Sequence, residues 1–113
     1  MSKEKGFAGE SLGISHLEKL GFEIIEQNYR HGRSEVDIIA ILDNRLLVFV
    51  EVKLRTHTAY GEPETFVTKN QERKILEAAD EYILAINWHK GIRFDIITVD
   101  AQGRLEHFED AFY

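Results

Sequence analysis

The 113-residue sequence predicts a single α/β domain, a mixed sheet covered by helices, and three observations carry that expectation. Two β-branched, apolar runs, 35–41 and 46–53, flank Asp43-Asn44, a turn signal that joins them as an antiparallel hairpin. Ile75, Ala78, Ala79, Tyr82, Ile83 and Ile86 recur at helical spacing behind Thr68 and Gln71, which match a capping box. A further apolar run, 93–99, follows a helix-rich crossover long enough for a parallel return.

The elements read in order as follows. Residues 7–20 form a helix with Glu10, Ile14 and Leu17 on one face, ended by Gly21. Residues 22–26 make a short strand, followed by a polar, basic turn, Asn28-Tyr29-Arg30-His31-Gly32-Arg33. The hairpin strands come next, and the second is too apolar to face water on either side. The stretch 55–66, with His57, Tyr60, Gly61 and Pro63, has no clear period and reads as a loop across the sheet edge. The long helix, the strand 93–99, a turn at Gln102-Gly103 and a short segment 104–108 complete the order αβββαβ with a short final segment.

No repeat, low-complexity tract or linker divides the chain, so residues 1–113 are expected to be one unit. With 43% hydrophobic and 30% charged residues the chain can bury a core. It has no cysteine, so a metal would need oxygen or histidine ligands. The first residues lack the apolar stretch of a signal peptide, and no run approaches the roughly 18 apolar residues of a membrane span, so a cytoplasmic protein without membrane partners is expected. The net charge of -6 argues against coating nucleic acid by general electrostatics, although a local basic patch could serve.

Glu51 is the residue that needs explaining, because it interrupts the most apolar strand, directly after Leu46-Leu47-Val48-Phe49-Val50. A buried charge costs roughly several kcal/mol unless it is paired. Alternation places Glu51 and Lys53 on one face, and hairpin pairing brings Glu35 and Asp37 beside them. Asp37 and Glu51, with the backbone carbonyl of Val52, make a workable cradle for Mg²⁺ or Mn²⁺, which take hard oxygen ligands. Lys53 then stands where it can orient an attacking water or stabilise charge on a phosphate. A structural ion pair is the alternative.

Asp37 followed by Glu51-Val52-Lys53 resembles the D…(D/E)XK signature of the PD-(D/E)XK, restriction-endonuclease-like superfamily. Gly9-Glu10, Gly21-Phe22, Asn28-Tyr29-Arg30, the run 35–40, the run 48–55 and Arg93-Phe94-Asp95 together look like the YraN-type family of small, endonuclease-like bacterial proteins, over nearly the whole chain. The resemblance implies a fold related to archaeal Holliday junction resolvases and a metal-dependent endonuclease acting on DNA, branched DNA among its substrates. It makes Glu10 an additional metal ligand; hydrogen bonding within the helix-sheet interface is its other reading. By analogy with resolvases, two chains could pair as a homodimer. Ser34 replaces the family's usual glycine and Gln71 its usual lysine, and neither change removes a ligand.

Glu35 and Arg55 are supporting residues at the edge of this site. Lys69 and Arg73, spaced i,i+4 near a helix N-terminus, could grip phosphate or form a solvated face. Arg30 and Arg33, with His31 and Tyr29, could clasp nucleic acid or belong to an ordinary hairpin. The five histidines show no paired metal spacing and read as surface residues. Trp88, Phe108, Phe112 and Tyr113 read as core or dimer contacts. A nuclease, a non-cleaving nucleic-acid-binding module and a protein-interaction subunit all remain compatible with the sequence.

Overall fold

A computed structural model of the chain describes residues 2–55 and 67–112. Its elements are α1 (Ser2–Lys19), β1 (Phe22–His31), β2 (Ser34–Leu42), β3 (Leu46–Arg55), α2 (Lys69–Ile86), β4 (Gly91–Asp100) and β5 (Leu105–Phe108). Among the described residues the sheet has five strands in the order β1-β2-β3-β4-β5. Pairing is antiparallel except between β3 and β4, which run parallel across the α2 crossover. The α/β class, the mixed sheet and the order αβββαβ are therefore as expected, with β5 as the short final strand.

Two boundaries differ from the sequence reading by several residues, the others by one or two. Helix α1 begins at Ser2, ahead of any apolar periodicity that could have signalled it. Strand β1 continues to His31, so Asn28, Tyr29, Arg30 and His31 are strand and the turn shrinks to Gly32-Arg33. Tyr29 holds this extension, pairing with Val36 and packing edge-on against Tyr82 with ring centroids 4.9 Å apart. The loop expected over 55–66 lies outside the described residues beyond Arg55, and so does Tyr113.

Helix α2 starts as its sequence dictates. The Thr68 side chain accepts from the Gln71 backbone N–H at 3.1 Å, and the Gln71 side chain accepts from the Thr68 N–H at 3.0 Å. Both cap groups satisfy donors that the first turn leaves open.

Each face of the sheet carries one helix. Leu47, Phe49, Phe94 and Ile96 pack under α2 with Ile75, Ala78, Ala79 and Tyr82. Ile38, Ala40, Val48, Val50, Ile97 and Val99 pack on the other side with Leu17 of α1. Helix α1 lies close to the sheet because its contact face carries glycine. A Cβ at Gly9 would stand 2.8 Å from Leu54 Cδ2, and one at Gly13 would touch Ile38, Val52 and Ile97.

Strict alternation fails at one place in β2. Val36 and Ile39, an odd number of residues apart, both belong to the α2 layer, which regular pleating forbids. Opposite this irregularity, Asn28 of β1 takes φ +52°. Asp37 lies within it.

Candidate functional site

The β2-β3 ladder runs from Leu42↔Leu46 to Ile38↔Val50, which is the last recorded pair. The neighbouring ladders continue, β1-β2 to His31↔Ser34 and β3-β4 to Arg55↔Asp100. Strand β2 therefore parts from β3 just where Asp37 would face Glu51. The Asp37 carboxylate enters the gap and accepts the Val52 backbone N–H at 2.8 Å, replacing the lost ladder bond. Glu51 and Lys53 alternate with Val50 and Val52 and so lie on the α2 side, joined by a 3.4 Å ion pair.

The electrostatics follow from burial. Desolvation, then the charge of Asp37, pushes the Glu51 carboxyl up to about 8, against the pull of Lys53. Asp37 is also raised, by burial above all, although the Val52 N–H and a hydrogen bond with Glu51 oppose the shift. One lysine thus faces two largely buried acids, and the pair shares a hydrogen bond because one proton relieves its repulsion. Burial raises Glu10 too, followed by the charge of Asp37, while a hydrogen bond with Asn28 lowers it and Glu35 adds to the rise. Glu10 is thus turned toward Asn28 and the Asp37 side of the gap.

The structure brings Asp37, Glu51 and Lys53 together with the Val52 backbone, and sets Glu10 and Glu35 within electrostatic reach of Asp37. Among the described residues, no three carboxylate or histidine side chains are gathered tightly enough to hold an ion as they stand. The supporting cations are engaged elsewhere. Arg30, mostly exposed, pairs with Glu35 at 3.2 Å, and Arg55 pairs with Glu106 of β5 at 2.7 Å. Arg33, Lys69 and Arg73 are exposed.

The reading of every histidine as a surface residue is corrected by a network on the α1 side of the sheet. Asp95 is fully buried and accepts from Arg93 Nε and Nη2, both at 2.8 Å, from His107 Nε2 at 2.7 Å and from the Asp110 N–H at 3.0 Å. A carboxylate only accepts, so His107 carries a hydrogen on Nε2, and in the neutral ring Nδ1 accepts from His16 Nε2 at 3.0 Å. Burial would raise the Asp95 carboxyl, but His107, Arg93 and the Asp110 N–H outweigh it and hold it below the usual range. An acid inside the apolar run Phe94-Asp95-Ile96-Ile97 was the available signal. Its partner His107, and His16 bonded in turn to that histidine, lie too far away in sequence for spacing to reveal them.

A central strand carrying an acid and a lysine, opposed by a second acid where its neighbour departs, defines an α/β protein with a partly buried carboxylate-lysine site. The particular family follows from comparison. Residues 9–99 match "Uncharacterised protein family UPF0102", and the chain belongs to that family, the YraN-type family that its motifs resemble. A UPF0102 protein of Cytophaga hutchinsonii is 43% identical over 107 residues, covering 95% of this chain and 94% of that protein. One of Flavobacterium psychrophilum is 40% identical over 111 residues, covering 96% and 92%. A solved structure, "The structure of Pyrococcus Furiosus SfsA in complex with Ca2+", is 18% identical with a TM-score of 0.36, and the match spans 96% of this chain and 63% of that one. No described helix is long and apolar enough to cross a membrane.

Proposed function

We propose that this protein is a metal-dependent endonuclease that hydrolyses phosphodiester bonds in DNA. The observation that carries the reading is the largely buried pair Asp37 and Glu51, two carboxylates facing one lysine, which without a second cation must hold a proton between them to relieve their repulsion. The donor set fits Mg²⁺ or Mn²⁺: two carboxylates at a gap between strands, the Val52 carbonyl beside them, and no soft ligand. Bound there, such a cation would supply Lewis-acid stabilisation of a phosphoryl oxygen and lower the pKa of a bound water. Lys53 has its ammonium over Glu51 and is the group to orient the attacking water or offset charge on the phosphate. Glu10, facing Asp37, is the auxiliary acid. Arg30, Arg33, Lys69 and Arg73 are the exposed cations available to backbone phosphates.

A non-cleaving nucleic-acid-binding module is the second reading, favoured by the engagement of Lys53 and Arg55 with carboxylates. One experiment separates the two. Labelled duplex, single-stranded, flapped and four-way DNA, with matching RNA, are incubated with Mg²⁺ or Mn²⁺ and wild type, Asp37→Asn or Lys53→Ala. Metal-dependent cutting lost in both variants is the expected result. Binding without cutting by the wild type would move the assignment to the module.

A further inference from the structure

We propose that Lys53, Thr98 and Arg55 form an oxoanion subsite beside the acid pair, suited to a backbone phosphate, and that the Glu106 carboxylate fills it when no phosphate is bound. This deepens the nuclease reading and rests on it for the polymer, whereas the affinity for an oxoanion stands on the residues themselves.

The placement comes from register. Lys53 pairs with Thr98 on β4, and Thr98 pairs with Glu106 on β5, so the three stand side by side across adjacent strands. Alternation puts all of them on the α2 side. Lys53 follows Phe49 and Glu51, Thr98 follows Phe94 and Ile96, and Glu106 precedes Phe108 by two. Arg55, two residues beyond Lys53, shares that side and spans β4 to reach Glu106 Oε1 with Nη2 at 2.7 Å.

Two polar atoms in this row lack partners among the described residues. Thr98 is fully buried and its Oγ1 makes no hydrogen bond, and the buried Arg55 Nε makes none either. Buried polar atoms are almost always paired, so two orphans on one small area mark a site whose hydrogen bonding is incomplete. The missing partners match one chemistry. A hydroxyl donor, an ammonium and the Nε-Nη2 fork of a guanidinium stand on one side of two adjacent strands, a set of donors suited to several oxygens of a single oxoanion. Glu106 occupies only the Nη2 corner of that fork. Its side chain is half exposed on the four-residue edge strand, so it can leave the guanidinium without disturbing the core. A phosphate brings more charge and more acceptor oxygens than the carboxylate it displaces. The resident carboxylate in turn screens the cation from weak anions.

The test uses two probes in metal-free buffer: inorganic phosphate, followed by the side-chain Nε–H NMR signal of Arg55, and labelled DNA, followed by the salt dependence of binding. Wild type, Glu106→Gln and Thr98→Val are compared, with thermal melts to confirm that each is folded. Glu106→Gln should tighten both phosphate and DNA binding several-fold, because the anion no longer has to displace a carboxylate, while the slope of log K against log salt, which counts phosphate contacts, stays as in wild type. Thr98→Val, which keeps shape and removes only the hydroxyl, should weaken phosphate binding several-fold. Titrations of Glu106→Gln and Thr98→Val that superpose on wild type would overturn the subsite. A phosphate response as expected with no DNA binding leaves the subsite standing and defeats the nucleic-acid reading. DNA binding with Glu106→Gln indistinguishable from wild type does the reverse.

Discussion

Val52 donates its backbone N–H to the Asp37 carboxylate at 2.8 Å, at the point where the β2-β3 ladder has ended. Asp37 therefore has two separable duties, as acceptor for a strand amide and as a charge beside Glu51. Asp37→Asn keeps an acceptor oxygen and removes the repulsion, so its stability should match or exceed that of wild type in metal-free buffer. Asp37→Ala leaves the amide unpaired and should lose about 1–3 kcal/mol. Urea denaturation of both variants checks this, and equal losses would show that the amide bond is irrelevant.

The pH dependence of the metal-free protein should carry the signature of Glu51. Its carboxyl titrates at about 8 when folded against 4.5 when unfolded, so the native state binds the extra proton between those values. Stability from the protonated form is complete below 4.5 and is lost as the pH rises toward 8. Glu51→Gln should flatten that decline and gain stability relative to wild type as the pH rises toward 8. The measurement is the denaturation midpoint of each protein across this range.

Divalent cations should reverse that loss. At about 100 times Kd, Mn²⁺ or Mg²⁺ should stabilise the folded chain by about 2.7 kcal/mol, and Asp37→Asn should abolish the effect. A melt that ignores both cations in the wild type would remove the metal from the proposal.

Asp95 predicts acid sensitivity of the opposite sign. Its carboxyl is held low when folded, and burial, with His107 and Lys19, lowers His16 below its ordinary 6.5. Both groups give stability that is complete above their unfolded values and is lost as pH falls through their folded ones. His16→Gln retains a donor for His107 and should move the onset of acid unfolding to lower pH. Asp95→Ala strands Arg93 and His107 without their acceptor and should cost about 3–5 kcal/mol.

Helix α1 offers a purely steric prediction. Any Cβ at Gly9 meets Leu54 Cδ2 at 2.8 Å, so the leucine end must move. Gly9→Ala should be tolerated at modest cost, and Gly9→Val should lose about 1–3 kcal/mol as the helix is levered from the sheet. Denaturant midpoints for the two variants give the comparison.

Local chemistry made much of this legible beforehand. Thr68 and Gln71 announced α2, Asp43-Asn44 announced the hairpin, and Glu51 in an apolar strand announced the site, because each effect acts within a few residues. The departures were set by distance. Tyr29 extends β1 only through Tyr82, and the glycine-bearing start of α1 has no apolar stripe to signal it. Arg55 was placed beside the site, but its engagement by Glu106 depends on an edge strand whose register no local pattern encodes. The alternation failure at Asp37 was invisible for the same reason, since it depends on Asn28 in another strand.

The parting of β2 from β3 also divides the molecule by the ease with which its backbone opens. Amides of Leu47, Val48, Phe49 and Val50, buried and flanked by paired strands on both sides, should be among the slowest to exchange with deuterium. Beyond Val50, β3 keeps the β4 ladder on one side and, on the other, a lone side-chain acceptor. Opening of that border can thus proceed without global unfolding, which uncovers the acids while the frame behind them stays closed.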